Sequence, residues 1–403
     1  MKKLTKIIAL TLAMLFIITS ASCRSDAGDG EGAAYHIGIV TLSTAQAEDE
    51  LRGAEACITA FGNVQDGGMI QHVVMPDNFS SEQETVISSI VGLSDDPLMK
   101  AIIVNPAVQG TAAAFQRIRE LRDDIILIAG QPQDDPLLIS SAADFCVDSD
   151  NFVRGYYDIL RASNMGAKTF VHMSFPRHMG MQPLARRKAM FEEACKDFGI
   201  EFVDVTVPDP SGEIGIPGAQ QSVYDMMPQL IDQYGVDSVY FTTNTALHDP
   251  IIERVAEYGA MFVVTDDVSP LVGYPTGLGV DLSAEAGDWD AIIAKIEEAA
   301  IEQGLSGRMG AFKYSLIYCH SEGLVRLAKD IIDGTANEDR MQAVTDAYGD
   351  ITNSEWKALL YEDANTGEEL QNFYTLAQDV YIFGEGLSGV MDVEIPEKYY
   401  SIK

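Results

Sequence analysis

The chain has 403 residues, with 61 Asp or Glu against 27 Lys or Arg and a formal net charge of −34. Charge of that sign argues against nucleic acid or an anionic membrane face as partner, because phosphate binding rests on clustered Lys and Arg. The length allows two or three domains, each with a sizeable core, and beyond residue 22 no apolar run is long enough for a membrane helix.

The first segment reads as an address. MKKLTKIIALTLAMLFIITSASC carries Lys2, Lys3 and Lys6, then an uncharged run from Ile7 to Ile18, then small residues. A basic start, a short apolar run and a small-residue end make a secretory signal. The stretch Ser20-Ala21-Ser22 leads straight into Cys23 and resembles the lipobox of bacterial lipoproteins, with Ser20 where that motif usually has Leu. The resemblance implies that residues 1–22 are a signal peptide and that Cys23 is lipidated. It also implies an extracytoplasmic protein, on the outer face of the bacterial cytoplasmic membrane or in the periplasm, that meets the membrane through its lipid anchor only. Residues 24–34, RSDAGDGEGAA, are Gly- and Asp-rich without an apolar period, so 23–34 is expected to be a flexible tether.

From Tyr35 short apolar runs alternate with helical segments. YHIGIVTLS (35–43), MIQHVVMP (69–76), AIIVNP (101–106) and IILIAGQ (125–131) read as buried strands. Helices are expected at 46–61, at 79–94 with a Ser and Glu near its start, and from Gly110 to Leu121. After DFCVDSDN (144–151) the same grammar restarts. Strands KTFVHMSF (168–175), EFVDVTVP (201–208), SVYFTTN (238–244) and AMFVVTDD (260–267) alternate with helices at 182–198, 219–234 and 248–258. Near-continuous Val, Ile and Leu in the strands, with helices between, indicates parallel sheets covered on both faces. The expected fold is α/β, two doubly wound parallel-sheet lobes joined by a hinge. The N-terminal lobe spans 35–149 plus about 283–333, and the C-terminal lobe spans 150–282. Residues 334–403 form an elaboration that the sequence does not place.

Ligands of doubly wound sheets sit at the carboxyl ends of the strands. The residues there are Thr41-Leu42-Ser43, Asn105-Pro106, Gln131, Asp150-Asn151, Ser174, Arg187, Asn244 and Asp266. Their order, with VNPAVQGTAA, VDSDNFVRGYYDIL, ARRKAMFEEACKDFG, FTTNTAL and FVVTDD, resembles the type I periplasmic binding proteins over about residues 40–330. These are the solute receptors of ABC importers, and they share their fold with the ligand domains of LacI-type regulators. The resemblance implies ligand contacts from Ser43, Asn105, Gln131, Asp150, Ser174, Arg187 (with Arg186 as the alternative), Asn244 and Asp266. It implies a small polar solute, an ABC permease or membrane sensor as partner, and no catalysis. A ligand-sensing regulator, or an interaction lipoprotein without a transport role, is the alternative. The segment STAQAEDELRG after the first strand lacks the two aromatic residues that sugar receptors of this class carry, and Gln131 stands where they often have Asp. An aromatic platform would then have to come from Phe175 or Tyr274.

Other constellations lead less far. His172, Met173, His178, Met179 and Met181 in HMSFPRHMGM form a soft-donor set, but His172 falls in a buried strand and Met is ordinary core filler, so no metal and no cofactor are expected. Gly384-Glu385-Gly386-Leu387-Ser388-Gly389 fits a dinucleotide fingerprint without the chain length for the helix and strand that must follow, so a turn is expected. Cys319 and His320 are neighbours in a helix and diverge, which separates nucleophile from base. Cys57, Cys146, Cys195 and Cys319 are too far apart in sequence for a metal or redox motif and read as buried free thiols, with their disulfide state left open.

Overall fold

In the computed structural model, which describes residues 32–263, 269–353 and 356–403, the apolar runs assemble into two parallel sheets. The signal segment 1–22, Cys23, nearly all of the tether and Asp266 lie outside the described residues.

The first lobe opens with β1 (His36–Thr41), α1 (Thr44–Phe61), β2 (Ile70–Val74), α2 (Gln83–Gly92), β3 (Met99–Val104), α3 (Thr111–Leu121), β4 (Ile126–Gly130), α4 (Pro136–Ala142) and β5 (Phe145–Ser149). Strands β1, β3 and β4 pair in parallel, Ile37–Val40 against Ala101–Val104 and Ala101–Val104 against Ile126–Ala129. Successive side chains point to opposite faces, and both faces are roofed. Ile37, Ile39, Ala101 and Ile103 join one core, while Val40, Ile102 and Val104 join the other. That is why these strands read as unbroken apolar runs rather than as alternation.

After Ser149 the chain crosses into the second lobe. Asp150 caps the new helix, its carboxylate accepting from Val153 N at 2.9 Å. The second lobe contains α5 (Asn151–Asn164), β6 (Thr169–Ser174), α6 (Pro176–Met179), α7 (Gln182–Phe198), β7 (Glu201–Thr206), α8 (Gly215–Tyr234), β8 (Ser238–Thr242), α9 (His248–Tyr258), α10 (Tyr274–Leu278), α11 (Trp289–Glu302) and β9 (Gly310–Phe312). Strand β6 lies in parallel between β7 and β8, and bridges at Val239–Met261 and Phe262–Met309 carry the layer on toward β9.

The sequence reading returns the chain to the first lobe near 283, and the structure corrects it. Ile292, Ile293, Ile296, Met309, Ala311 and Phe312 all pack in the second core, so the return falls between Phe312 and α12 (Leu316–Asp333). Amphipathic period does not say which of two similar sheets a helix covers, and the three-residue β9 is too short to announce itself. The tail finds its place in both lobes. α13 (Arg340–Thr352) packs on α12, and β11 (Glu369–Ala377) pairs in parallel with β5 while β10 (Lys357–Glu362) runs antiparallel outside it. The chain then crosses a third time, to β12 (Val380–Ile382) beside β9 and β13 (Gly386–Leu387). The GEGLSG stretch is the turn and strand between them, with positive φ at Gly384, Gly386 and Gly389. Cys57, Cys146, Cys195 and Cys319 are free and buried, and burial pushes the Cys195 thiol up to about 12.

A two-compartment cleft as the candidate ligand site

The carboxyl ends of both parallel sheets and the start of α12 face one another across a cleft. Its first compartment encloses about 110 Å³. From the first lobe Leu42 follows β1, Pro106 follows β3, and Gln131 and Gln133 follow β4. From the second lobe come Arg177 and His178 after β6, and Thr243 and Asn244 after β8. Asn151 opens the crossing helix, and Phe79 supplies an aromatic ring from the loop after β2.

Arg177 organises this compartment. Its Nε and Nη2 donate to the two oxygens of Asp209 at 2.7 and 3.2 Å, a fork that fixes the guanidinium plane. Burial pushes the Asp209 carboxyl up, but Arg177 and the Ser211 hydrogen bonds together outweigh it and hold the group below its usual range. The third nitrogen, Nη1, reaches across the cleft to Gln133 Oε1 at 3.2 Å, and the guanidinium faces the rings of Phe79 at 5.6 Å and Phe175 at 5.3 Å. Beside it Ser80 Oγ donates to Ser211 O at 3.1 Å, and Ser211 in turn donates to Asp209, so the Arg177 side of the cleft carries a second contact between the lobes. His178 Nδ1 lies 3.1 Å from Thr243 Oγ1, which is itself bonded to Ser174 Oγ at 2.7 Å.

A second compartment of about 270 Å³ adjoins the first, the two sharing Gln46, Glu50, Thr245 and Ile317. Glu48, Asp49, Glu50 and Asp249 bring four carboxyl groups to its wall, and among the described residues no Lys, Arg or His lines it. Burial raises the Asp249 carboxyl, with Glu48 and Glu253 adding to the effect.

The residues named from the sequence divide. Gln131 and Asn244 line the first compartment. Gln131 holds φ of 47°, a left-handed conformation unusual for a residue with a side chain, and Asn244 caps the turn after β8 by accepting from Ala246 N at 3.0 Å. Asn105 is fully buried behind Pro106. Its amide donates to Ser321 Oγ at 2.9 Å and Ile317 O at 3.3 Å, and its oxygen accepts from Gln131 Nε2 at 2.9 Å. Arg187, 1% exposed, donates to Asn151 Oδ1 at 2.6 Å and stacks over Phe241. Asp150 turns away from the cleft as the α5 cap and accepts from Thr375 Oγ1 at 3.1 Å. Ser174 lies behind Thr243, and Ser43 bonds to Asp77 beside the cleft. Asp266 lies outside the described residues, and Arg186 donates to Ile402 O at 2.8 Å on the hinge side. Tyr274 is buried with its hydroxyl on Gly310 O, and Phe175 packs on His178, so neither offers an open ring face.

Arg177, His178, Gln133 and Phe79 were not read from the sequence as ligand contacts. Arg177 and His178 stand in HMSFPRHMGM, directly after a strand, and position alone would have found them. His172, in the same stretch, is spent on Asp204 at 2.8 Å inside the sheet. Among the described residues no group of three or more His, Cys, Asp or Glu converges as a metal site. No helix among them is long and apolar enough to cross a membrane.

A family model described as a protein of unknown function (DUF3798) matches residues 35–310, and a second family model matches residues 321–402. Two proteins of Treponema pallidum (strain Nichols), both described as uncharacterized, are similar. One is 41% identical over 180 residues, 44% of this chain and 81% of its own; the other is 31% identical over 220 residues, 55% of this chain and 100% of its own. A crystal structure of a candidate transcriptional regulator from Clostridium difficile 630 superposes with a TM-score of 0.68 at 23% identity, covering 87% of this chain and 99% of that one. Weaker superpositions include an ABC transporter solute binding protein from Agrobacterium vitis with bound allitol (TM-score 0.40, 15% identity, 57% of this chain and 74% of that one) and a LacI family transcriptional regulator from Bifidobacterium animalis (TM-score 0.44, 12% identity, 75% and 92%). The chain thus shares the α/β fold of the Clostridium difficile protein, here built as two lobes around parallel sheets.

Proposed function

The chain belongs to the DUF3798 family, and from that premise we propose that it is a solute receptor, lipid-anchored through Cys23 outside the cytoplasm, that closes its two lobes on a small polar solute. The observation that carries the reading is the cleft itself, in which both sheets present their strand ends, polar groups and one aromatic ring to a shared cavity. A polar solute leaving water needs a partner for each group it buries. Gln131, Gln133 and Asn244 offer both donors and acceptors, and Arg177, with its Nε–Nη2 edge held by Asp209, offers the remaining N–H groups of its two terminal nitrogens. Three chain crossings allow a hinge, and contacts drawn from both lobes would favour the closed state. The solute leaves chemically unchanged, handed to an ABC permease or a membrane sensor. The export-like start with Cys23 supports an anchored receptor, and a net charge of −34 fits poorly with binding DNA.

Differential scanning fluorimetry of the mature protein tests this with sugars, nucleosides, amino acids and small furanoses. A bound solute at one hundred times its Kd adds about 2.7 kcal/mol of stability and raises Tm. Arg177→Ala and Asn244→Ala should each weaken the solute so found at least tenfold. If both variants bound it as tightly as the wild type, the cleft would not be the site.

A further inference from the structure

One buried carboxylate of the acidic compartment has an oxygen that no donor among the described residues reaches. Asp49, on α1, is 1% exposed and lines that compartment. Its Oδ2 accepts from the Ser315 hydroxyl at the start of α12, whereas its Oδ1 accepts no hydrogen bond among the described residues. The cation on the same helix is turned elsewhere, since Arg52 pairs with Glu48 and Glu55 at 3.2 and 2.8 Å on the half-exposed face. A buried carboxylate with an orphan oxygen is costly unless a cation or donor reaches it. Burial pushes the Asp49 carboxyl up to about 6, against the lowering pull of the Ser269 and Ser315 hydroxyls, and neighbouring Glu48 adds to the rise. The compartment that Asp49 lines is also lined by Glu48, Glu50 and Asp249 and, among the described residues, by no cationic side chain. The carboxyl groups do not converge on one point as metal ligands would. An organic ammonium suits this arrangement, because it carries its own bulk and brings three donors to dispersed acceptors.

We propose that the acidic compartment is a cation subsite and that the solute carries a protonated amine, seated on Asp49 with its uncharged polar part against Arg177 and Asn244. The inference rests on the receptor reading and adds the chemical class of the ligand. The shared wall of Gln46, Glu50, Thr245 and Ile317 makes the two compartments one continuous site for a molecule polar at one end and cationic at the other.

Isothermal titration of the mature protein with glucosamine, galactosamine and 4-aminobutanol, each beside its N-acetylated counterpart, and with myo-inositol tests it. At least one amine should bind, its acetylated counterpart at least tenfold more weakly. Asp49→Asn keeps an acceptor for Ser315 and removes the charge, so it should weaken that amine at least tenfold while the unliganded Tm does not fall. No heat from any amine, equal binding of amine and amide, or wild-type affinity in Asp49→Asn would overturn the proposal. Affinity lost together with a Tm lowered by several degrees would make Asp49 a tie between α1 and α12 and would overturn it too. A neutral solute whose binding needs Arg177 and Asn244 but not Asp49 would refute the cation subsite and leave the receptor standing. An amine that needs Asp49 but is indifferent to Arg177→Ala and Asn244→Ala would support the subsite and refute the wider cleft.

Discussion

The wall of the cleft and the layer directly behind it are made of the same residue types and do opposite work. Gln131, Gln133, Arg177 and Asn244 form the wall and keep a face toward the cavity. Asn105, Asp150, Ser174 and Arg187 form the backing, and each is committed to partners inside the protein. The two arginines sharpen the contrast. Arg177 is partly exposed, held by Asp209 and turned to the cavity, while Arg187 is buried under Asn151 and over Phe241. An arginine in the wall can select a ligand; one in the backing can only place the residue that does. Substitutions in the backing should therefore cost stability first, and those in the wall should cost affinity first.

The largest effect is expected at Arg187. Its removal leaves the Asn151 oxygen without its 2.6 Å donor, takes a positive charge from around the buried Asp158, and opens a void over Phe241 and Phe191. Arg187→Ala should cost about 3 kcal/mol, within the range for breaking a buried charged network, and lower Tm by several degrees in thermal unfolding followed by circular dichroism. Arg187→Lys should recover part of that loss, because it restores the charge but not the planar fork. Binding lost at unchanged Tm would move Arg187 into the wall and collapse the distinction.

Asn105 comes next. It ties the end of β3 to α12 through Ser321 and Ile317, and it anchors Gln131, the wall residue with the left-handed backbone. Asn105→Ala leaves buried groups unpaired, at about 1–3 kcal/mol for such a loss. Chemical denaturation should show a lower midpoint, and the solute affinity should fall with it because Gln131 loses its anchor. An affinity loss with no change in midpoint would mean that Asn105 touches the solute directly.

This contrast also explains what was legible in the sequence. Parallel strands buried on both faces announce themselves through continuous Val and Ile, and the helices at Gln182–Phe198 and His248–Tyr258 fall on the expected residues. The strand ends were legible for the same reason. The direction of the side chains there was not. Beyond β1 and β3 it is Leu42 rather than Ser43 and Pro106 rather than Asn105 that reach the first compartment, and at the crossing Asn151 reaches it while Asp150 is turned to cap the helix. A fully apolar strand gives no alternation from which to read the face, and a shift of one residue exchanges wall for backing. Phe79 was illegible for a different cause. It comes from a loop after β2, and nothing local says that the loop folds over the cleft toward Arg177.

The smallest effect, and the finest test of the comparison, is at Gln133. Its side-chain oxygen accepts from Arg177 Nη1 across the cleft, so it touches both lobes without holding either one together. Gln133→Ala leaves Arg177 on Asp209, and the partly exposed site lets water replace the lost acceptor, so stability should change by less than about 0.5 kcal/mol. What the substitution does remove is one contact made only when the lobes are closed. A closed state weakened by one hydrogen bond of about 1 kcal/mol should bind a few-fold more weakly, with the change in the dissociation rate rather than in association. Stopped-flow kinetics with the identified solute reads that directly. A Gln133→Ala protein with lowered Tm and unchanged dissociation would place Gln133 in the backing, and the latch across the cleft would then be structural rather than part of closure.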